Sequence, residues 1–190
     1  MQVACWVLGV EEDQAEDMLP DTISIGFPLI GDLRRYLSRE SSAGDWVAPE
    51  TSGEEEEHAE WERRQRRALV ADFRRLYPGV LEARERHPTR IVDPFGLWLF
   101  AHKTAVRDLV VVHVRRGEGR EAIAIVRITG PYFYREDSPW PHRLPVEMVT
   151  RCSFKLPHPY SGWQEVFSRA IEDSAVDHLA RMRAGEPVED

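Results

Sequence analysis

The middle of the chain restricts the fold more than any other feature. Leu109 to Val114 is β-branched and apolar, Arg116 to Gly119 is a glycine-containing turn, and Ala122 to Thr129 returns as a second strand. Such a pair is an antiparallel hairpin, ended here by Gly130 and Pro131. Further strands are expected at Val3 to Leu8, at Thr22 to Phe27 with Ile23 and Ile25 alternating, and at Val146 to Phe154. These strands are separated by irregular helical stretches, and the regular strand-helix alternation of a doubly wound sheet is missing. The expected fold class is therefore α+β, with a small sheet or barrel.

The helical stretches have their own signals. Asp32 is suited to cap a short helix containing Leu33, Tyr36 and Leu37. A longer helix starts in the glutamate run Glu54 to Glu57 and ends at Pro78 and Gly79, with Leu69, Phe73, Leu76 and Tyr77 on one side. Its arginines, Arg63, Arg64, Arg67, Arg74 and Arg75, fall on the opposite arc and read as a solvated face rather than a phosphate-contacting stripe. Asp93 and Pro94 open another helix carrying Phe95, Trp98, Leu99 and His102. A last helix is expected from the capping spacing of Ser161 and Gln164 and the apolar face Trp163, Val166, Phe167, Ala170, Ile171, Leu179 and Met182. The domain expectation is residues 1–160 with an acidic, helical insertion at about 38–92, and a C-terminal helix with an acidic tail, 161–190, packed on the same domain.

Composition excludes several classes. A chain of 190 residues suits one folded domain. No apolar run approaches the ~20 residues that span a bilayer, so no membrane association is expected. The apolar segment Met1 to Val10 lacks a basic leader and reads as a strand, not a signal peptide. Two cysteines, Cys5 and Cys152, are too few for a disulfide framework or a thiolate-rich zinc site, and point to the cytoplasm. The net charge of −8 opposes nucleic-acid binding, yet the acid is concentrated at Glu11 to Asp17, Glu54 to Glu57 and Glu186 to Asp190. Of the 25 basic residues only Lys103 and Lys155 are lysines, and guanidinium suits phosphate and planar stacking better than ammonium.

Enzyme signatures are scarce. There is no Gly-Lys-Ser phosphate loop, no glycine-rich dinucleotide fingerprint, and no Gly-x-Ser-x-Gly elbow. The seven histidines are dispersed without a His-Glu-x-x-His spacing, so any metal site would have to be assembled from distant segments. No catalytic residue, metal ligand or cofactor is assigned on this pattern. His142 with Glu147 could make an acid/base pair, but a polar loop histidine and a surface glutamate account for them more simply. Trp6, Phe27, Trp98, Tyr132, Tyr134 and Trp140 could sandwich a planar base, although by pattern alone Trp6 and Trp98 read as core.

Three segments carry a family likeness. CWVLG with SIGFPLIGDL, between Cys5 and Leu33, resembles the opening of PUA-like domains at the N-terminus of Mrr-type and McrB-type modification-dependent restriction proteins, with Gly26 and Phe27 in the Gly-Trp place. GLWLFAHKTAVRDLVVV, Gly96 to Val112, is similar to the family's LWRF helix, Gly-Asp turn and valine-rich strand, with Arg107 in the glycine place. AIAIVRITGPYFY, Ala122 to Tyr134, followed by PHRLPVEMV, Pro141 to Val149, resembles the family's IGRVTGPYEY and HRRPVEWL. Together the likeness spans most of residues 3–151.

The resemblance implies a small mixed β-barrel flanked by helices, the PUA-like fold shared with EVE, YTH and ASCH domains, of which EVE and YTH members hold a modified base in an aromatic pocket. On matching positions it implies a base-binding pocket from Trp6, Phe27, Asp32, Trp98, Tyr132, Tyr134, Trp140 and His142, with Arg127, Arg135 and Arg143 contacting phosphate. The function it implies is a non-catalytic module that recognises a flipped, modified base in nucleic acid, DNA favoured over RNA, beside a separate effector protein in a defence or restriction setting. One alternative is an ASCH-like hydrolase of a modified nucleoside, in which a Lys, Glu and Tyr set would act and Lys103 or Lys155 would be required. Another is a protein-interaction module that uses the C-terminal helix.

Overall fold

The computed structural model describes residues 4–37, 52–79, 94–116, 119–155 and 167–169. Its elements, in chain order, are β1 (Cys5–Val10), α1 (Glu12–Met18), β2 (Thr22–Ile25), a 3-10 turn (Pro28–Ile30), α2 (Arg34–Leu37), α3 (Ser52–Leu76), α4 (Pro94–Trp98) and a π-helical turn (Leu99–Lys103). They are followed by β3 (Leu109–Arg116), β4 (Gly119–Ile128), β5 (Phe133–Tyr134), β6 (His142–Lys155) and β7 (Phe167–Arg169). The class is α+β. The strands form one mixed, seven-stranded sheet ordered β2-β6-β4-β3-β1-β7, with β5 pairing β6, and it curls into a half-barrel that is only partly closed.

The predicted hairpin is β3 and β4, antiparallel, with Val110 opposite Val126 and Val112 opposite Ala124. β1 runs parallel to β3, which makes the sheet mixed. A parallel partner and helical cover explain why β1 and β3 read as near-continuous apolar runs instead of alternating ones. One face of the sheet carries Trp6, Leu8, Val110, Val112, Val126 and Ile128 into the main core. The opposite face carries Cys5, Val111, Ala122 and Ile125 into a smaller cluster.

α3 lies against the main core through the predicted side. Leu69 and Phe73 are buried and Leu76 and Tyr77 pack at the margin, each full burial being worth about 2 kcal/mol. Arg63, Arg64, Arg67, Arg74 and Arg75 are exposed, the solvated face that the sequence suggests. Asp72 ties α3 to α2, accepting from Tyr36 Oη at 2.6 Å and pairing with Arg35 at 3.2 Å. This part of the acidic insertion is thus integral to the domain. The remaining insertion residues, 38–51 and 80–92, lie outside the described residues.

The acidic stretch after β1 is a helix, α1, because Gln14, Ala15 and Met18 bury one side at helical spacing. Two elements depart from expectation. β6 starts at His142, not Val146. Pro145 removes one ladder donor, but it stands beyond two-residue β5, and its carbonyl still accepts from Thr129 N–H at 2.9 Å. Gly130 is required beside it, since a Cβ there would come within 2.9 Å of Pro145 Cγ.

The second departure is at the C-terminus. Phe167, Ser168 and Arg169, expected inside the last helix, form β7 and pair antiparallel with Leu8, Val7 and Trp6. The exposed edge of β1 offers a row of backbone partners, and edge pairing overrides a helical apolar period. The rest of the 161–190 helix lies outside the described residues.

Candidate functional site

The loop that leaves β2 is a tightly constrained surface segment. Ile25 ends the strand, and Phe27 turns the chain with φ 74° and ψ 53°, a left-handed conformation that is strained for a bulky aromatic residue. Gly31, at φ 69°, supplies the second left-handed position, where glycine carries no penalty. Asp32 then accepts from Arg34 N–H at 3.0 Å and so caps α2, the role that the sequence suggests. Burial pushes the Asp32 carboxyl up, but hydrogen bonds from the Arg34 side chain and backbone outweigh it and hold the group below its ordinary value.

Strained backbone persists where its surroundings over-determine it. Here three aromatic residues and a histidine do so. Leu29 N–H donates to Tyr77 Oη at 2.8 Å, and Tyr134 Oη donates to the Pro28 carbonyl at 3.3 Å. Leu33 N–H donates to Tyr132 Oη at 3.2 Å, and His142 Nε2 lies 3.2 Å from the Phe27 carbonyl. The Phe27 ring is itself clasped between Phe73 and Tyr77, at centroid distances of 5.2 and 5.4 Å.

The direction of the proton chain follows from these partners. A carbonyl only accepts, so His142 Nε2 carries the hydrogen and Nδ1 is the acceptor, which makes Tyr132 Oη, 2.9 Å away, the donor to it. Every polar atom of the chain is satisfied with a neutral imidazole. Burial lowers the His142 pKa to about 4, against the pull of the Phe27 carbonyl and the Asp32 charge, and burial raises that of Tyr132.

A pH dependence follows with a definite sign. The folded value of His142 lies below the usual 6.5, so the unfolded chain takes up the proton first, and stability is lost as pH falls from 6.5 towards 4. A shift of this size corresponds to a full loss on the order of 3 kcal/mol. His102, also lowered by burial, adds in the same direction. Urea unfolding of the wild type and of His142→Gln between pH 7 and about 5, above the carboxylate range, should show a much shallower pH slope in the variant. Equal slopes would show that the imidazole is not held neutral.

The residues proposed from sequence divide into two groups. Trp6, Trp98, Tyr132 and His142 are buried in the core, with Trp6 Nε1–H donating to Asp108 at 2.8 Å and Trp98 in a tilted ring contact with His102 at 4.5 Å. Phe27, Asp32, Tyr134 and Trp140 are half-buried and remain at the surface. The loop, Tyr132, Tyr134 and His142 come together, while Trp6 and Trp98 belong to other parts of the core. Trp140 packs over Gly26, its Cδ1 3.7 Å from where a Cβ would stand.

The arginines diverge as well. Arg135 is exposed, and Arg127 is paired with Glu147 across β4 and β6. Arg143, expected on a phosphate path, is instead 4% exposed and fully engaged inside the protein. Its guanidinium donates to Asp17 at 2.6 Å, Ser138 Oγ at 3.0 Å, and Thr22 Oγ1 and the Trp140 carbonyl at 3.3 Å. Arg143 reaches α1 from β6 through its bond to Asp17.

A second cluster was not anticipated. His58 and Glu62, one turn apart on α3, meet His102 from the π-helical turn, with His58 Nε2 3.4 Å and His102 Nε2 2.9 Å from Glu62 Oε1. Lys103 Nζ lies on the same oxygen. Burial draws the His102 pKa down against the pull of Glu62, and it would raise that of Glu62, but hydrogen bonds from Lys103 and His102 hold the carboxyl below its ordinary value. The i, i+4 spacing of His58 and Glu62 is visible in the sequence; the third member, forty residues on, is not.

No protein-family model and no curated protein matches the chain. Among solved structures it is similar to a hypothetical protein from Leishmania major, with 10% identity and a TM-score of 0.39, the match covering 97% of this chain and 96% of that one.

Proposed function

We propose that the chain is a non-catalytic, PUA-like nucleic-acid-binding module that recognises a modified base at the rim formed by the 27–33 loop and Tyr134. The observation that carries this reading is the convergence of independent motif segments. SIGFPLIGDL, Gly-Pro-Tyr-x-Tyr and the histidine of His-Arg-x-Pro-Val are distant in sequence, and they meet in one hydrogen-bonded cluster around a strained loop. A second observation agrees with the likeness: Arg107 has φ 85°, a left-handed conformation suited to the glycine that the resembled family carries there.

The rim has groups of the right kind. Leu29 is 62% exposed, and beside it stand the half-buried Tyr134 ring and the Asp32 carboxylate, with Arg135 exposed for phosphate. A base can stack on tyrosine while a carboxylate accepts from an exocyclic amino group. Tyr132 and His142 act behind the rim, holding the loop. A partly closed barrel, cytoplasmic location and a separate defence effector accompany this reading.

The test is fluorescence anisotropy at low salt, with one labelled oligonucleotide competed by cytosine- and adenine-modified single and double strands. One modified competitor should win by tenfold or more, about 1.4 kcal/mol. Tyr134→Ala should weaken that complex by at least about tenfold, the scale of one lost base stack, while leaving the fold intact. Equal affinity for modified and unmodified strands overturns the proposal. The Lys103–Glu62 ion pair favours one other reading, the ASCH-like hydrolase. Turnover of a modified nucleoside that is lost in Lys103→Ala would support it; turnover that survives both Lys103→Ala and Lys155→Ala would remove the lysine-dependent mechanism, and no turnover by the wild type would remove the reading.

A further inference from the structure

The His58, Glu62 and His102 cluster lies apart from the proposed base-binding rim, and its geometry is that of a ligand set. The three donor atoms, one per residue, all lie within 4.8 Å of one another. Four-coordinate zinc holds nitrogen and oxygen ligands at ~2.0–2.2 Å, which places neighbouring donors ~3.3–3.6 Å apart. The 3.4 Å between His58 Nε2 and Glu62 Oε1 meets that spacing, and the 2.9 Å between His102 Nε2 and Glu62 Oε1 needs only a small opening. We propose that His58, Glu62 and His102 form a binding site for a divalent first-row transition-metal ion, with zinc as the physiological candidate.

Three features support the assignment. First, the set is two imidazoles and one carboxylate, the borderline donors that zinc accepts, and it is not a carboxylate cluster suited to calcium or magnesium. Second, the imidazoles are held by neighbours. His58 stacks on Trp61 at 5.5 Å and His102 packs against Trp98 in a tilted contact at 4.5 Å, so each ring is oriented before an ion arrives. Third, the helix carrying His102 widens to a π-turn over Leu99–Lys103, a local distortion that recurs at functional sites.

Lys103 explains the resting state. Its ammonium lies on Glu62 Oε1 and supplies there the positive charge that a metal ion would supply. The Lys103 side chain is 42% exposed and can swing to solvent, whereas the histidine and glutamate side chains are 12–24% exposed and anchored. With three protein ligands, the fourth position faces water, the arrangement of an open site. Occupation would also clamp α3 to the turn after α4, so metal should stabilise the docked insertion.

Tryptophan fluorescence of the full chain, titrated with Zn²⁺ and with Co²⁺, tests the site, because Trp61 and Trp98 contact the histidines. The wild type should show a saturable response, a rise in Tm with metal, and the visible absorption of four-coordinate cobalt. His58→Ala and His102→Ala should each weaken binding by more than about 100-fold, since even changes to the groups that orient a metal ligand cost ~10–100-fold. Lys103→Met should strengthen it by about tenfold, because a competing cation is removed from Glu62. That gain cannot come from a variant that misfolds. If the cluster is only an ion-pair network, wild type and Lys103→Met will show no saturable response, and the proposal falls. It falls equally if the two histidine variants bind as tightly as wild type.

Discussion

Replacing Asp108 with alanine is expected to lower unfolding stability by roughly 4–5 kcal/mol, the largest effect of any single polar substitution considered for this protein. The carboxylate is 5% exposed and accepts three hydrogen bonds: from Ala4 N–H at 3.0 Å, Trp6 Nε1–H at 2.8 Å and Ala105 N–H at 3.0 Å. Bonds to an ionised acceptor are worth ~1.5–3 kcal/mol each, and alanine leaves all three donors without it. The position is also structural at the backbone, since Ile128 N–H donates to the Asp108 carbonyl at 2.9 Å and Leu109 N–H to Ala4 at 3.0 Å. Asp108 thus locks the register between β1 and β3 where the parallel pair begins. Urea unfolding followed by tryptophan fluorescence measures the effect. Asp108→Asn, which keeps the shape but loses the charge, should retain about half the lost stability. A loss below about 1 kcal/mol in the alanine variant would mean that water replaces the carboxylate and that the register is fixed by packing alone.

How far the sequence foretold this arrangement depends on whether the signal was local. The β3–β4 hairpin and the buried side of α3 were legible, because turn residues and a 3.6-residue apolar period are written in neighbouring positions. The cap at Asp32 was legible for the same reason. The start of β6 was not, since Pro145 argues against a strand unless the two-residue reach of β5 is known. β7 was hidden by an apolar pattern that suits a helix equally well, and the choice is made by the edge of β1, which is 160 residues away. The candidate rim follows the same rule. Local motifs marked Phe27, Tyr134 and His142, but the hydrogen bonds that make Tyr132 and His142 internal supports span 99 and 115 residues. Buried and surface aromatics look alike in sequence, because exposure is a property of the assembled sheet.

Arg143→Met is expected to destabilise the protein by roughly 3–5 kcal/mol without altering intrinsic affinity for an oligonucleotide. A guanidinium in a loop beside a Gly-Pro-Tyr motif would naturally be read as a phosphate contact, and its burial reverses that reading. The planar fork spans α1, β2 and the loop before β6, bonding Asp17, Thr22, Ser138 and the Trp140 carbonyl. Methionine fills the apolar volume but abandons the buried Ser138 hydroxyl and the Trp140 carbonyl, each costing ~1–3 kcal/mol, and removes the charge-assisted bond to Asp17. Lysine preserves the charge yet cannot reproduce the fork, so Arg143→Lys should recover less than half of the loss. The decisive comparison sets stability against binding. Under conditions where the variant is fully folded, its oligonucleotide affinity and the slope of that affinity with salt should equal those of wild type, whereas Arg135→Ala, at an exposed position, should reduce the salt slope by about one. A reduced salt slope in folded Arg143→Met would instead place its charge on the nucleic-acid path, and the interior hydrogen bonds would then describe only the unliganded protein.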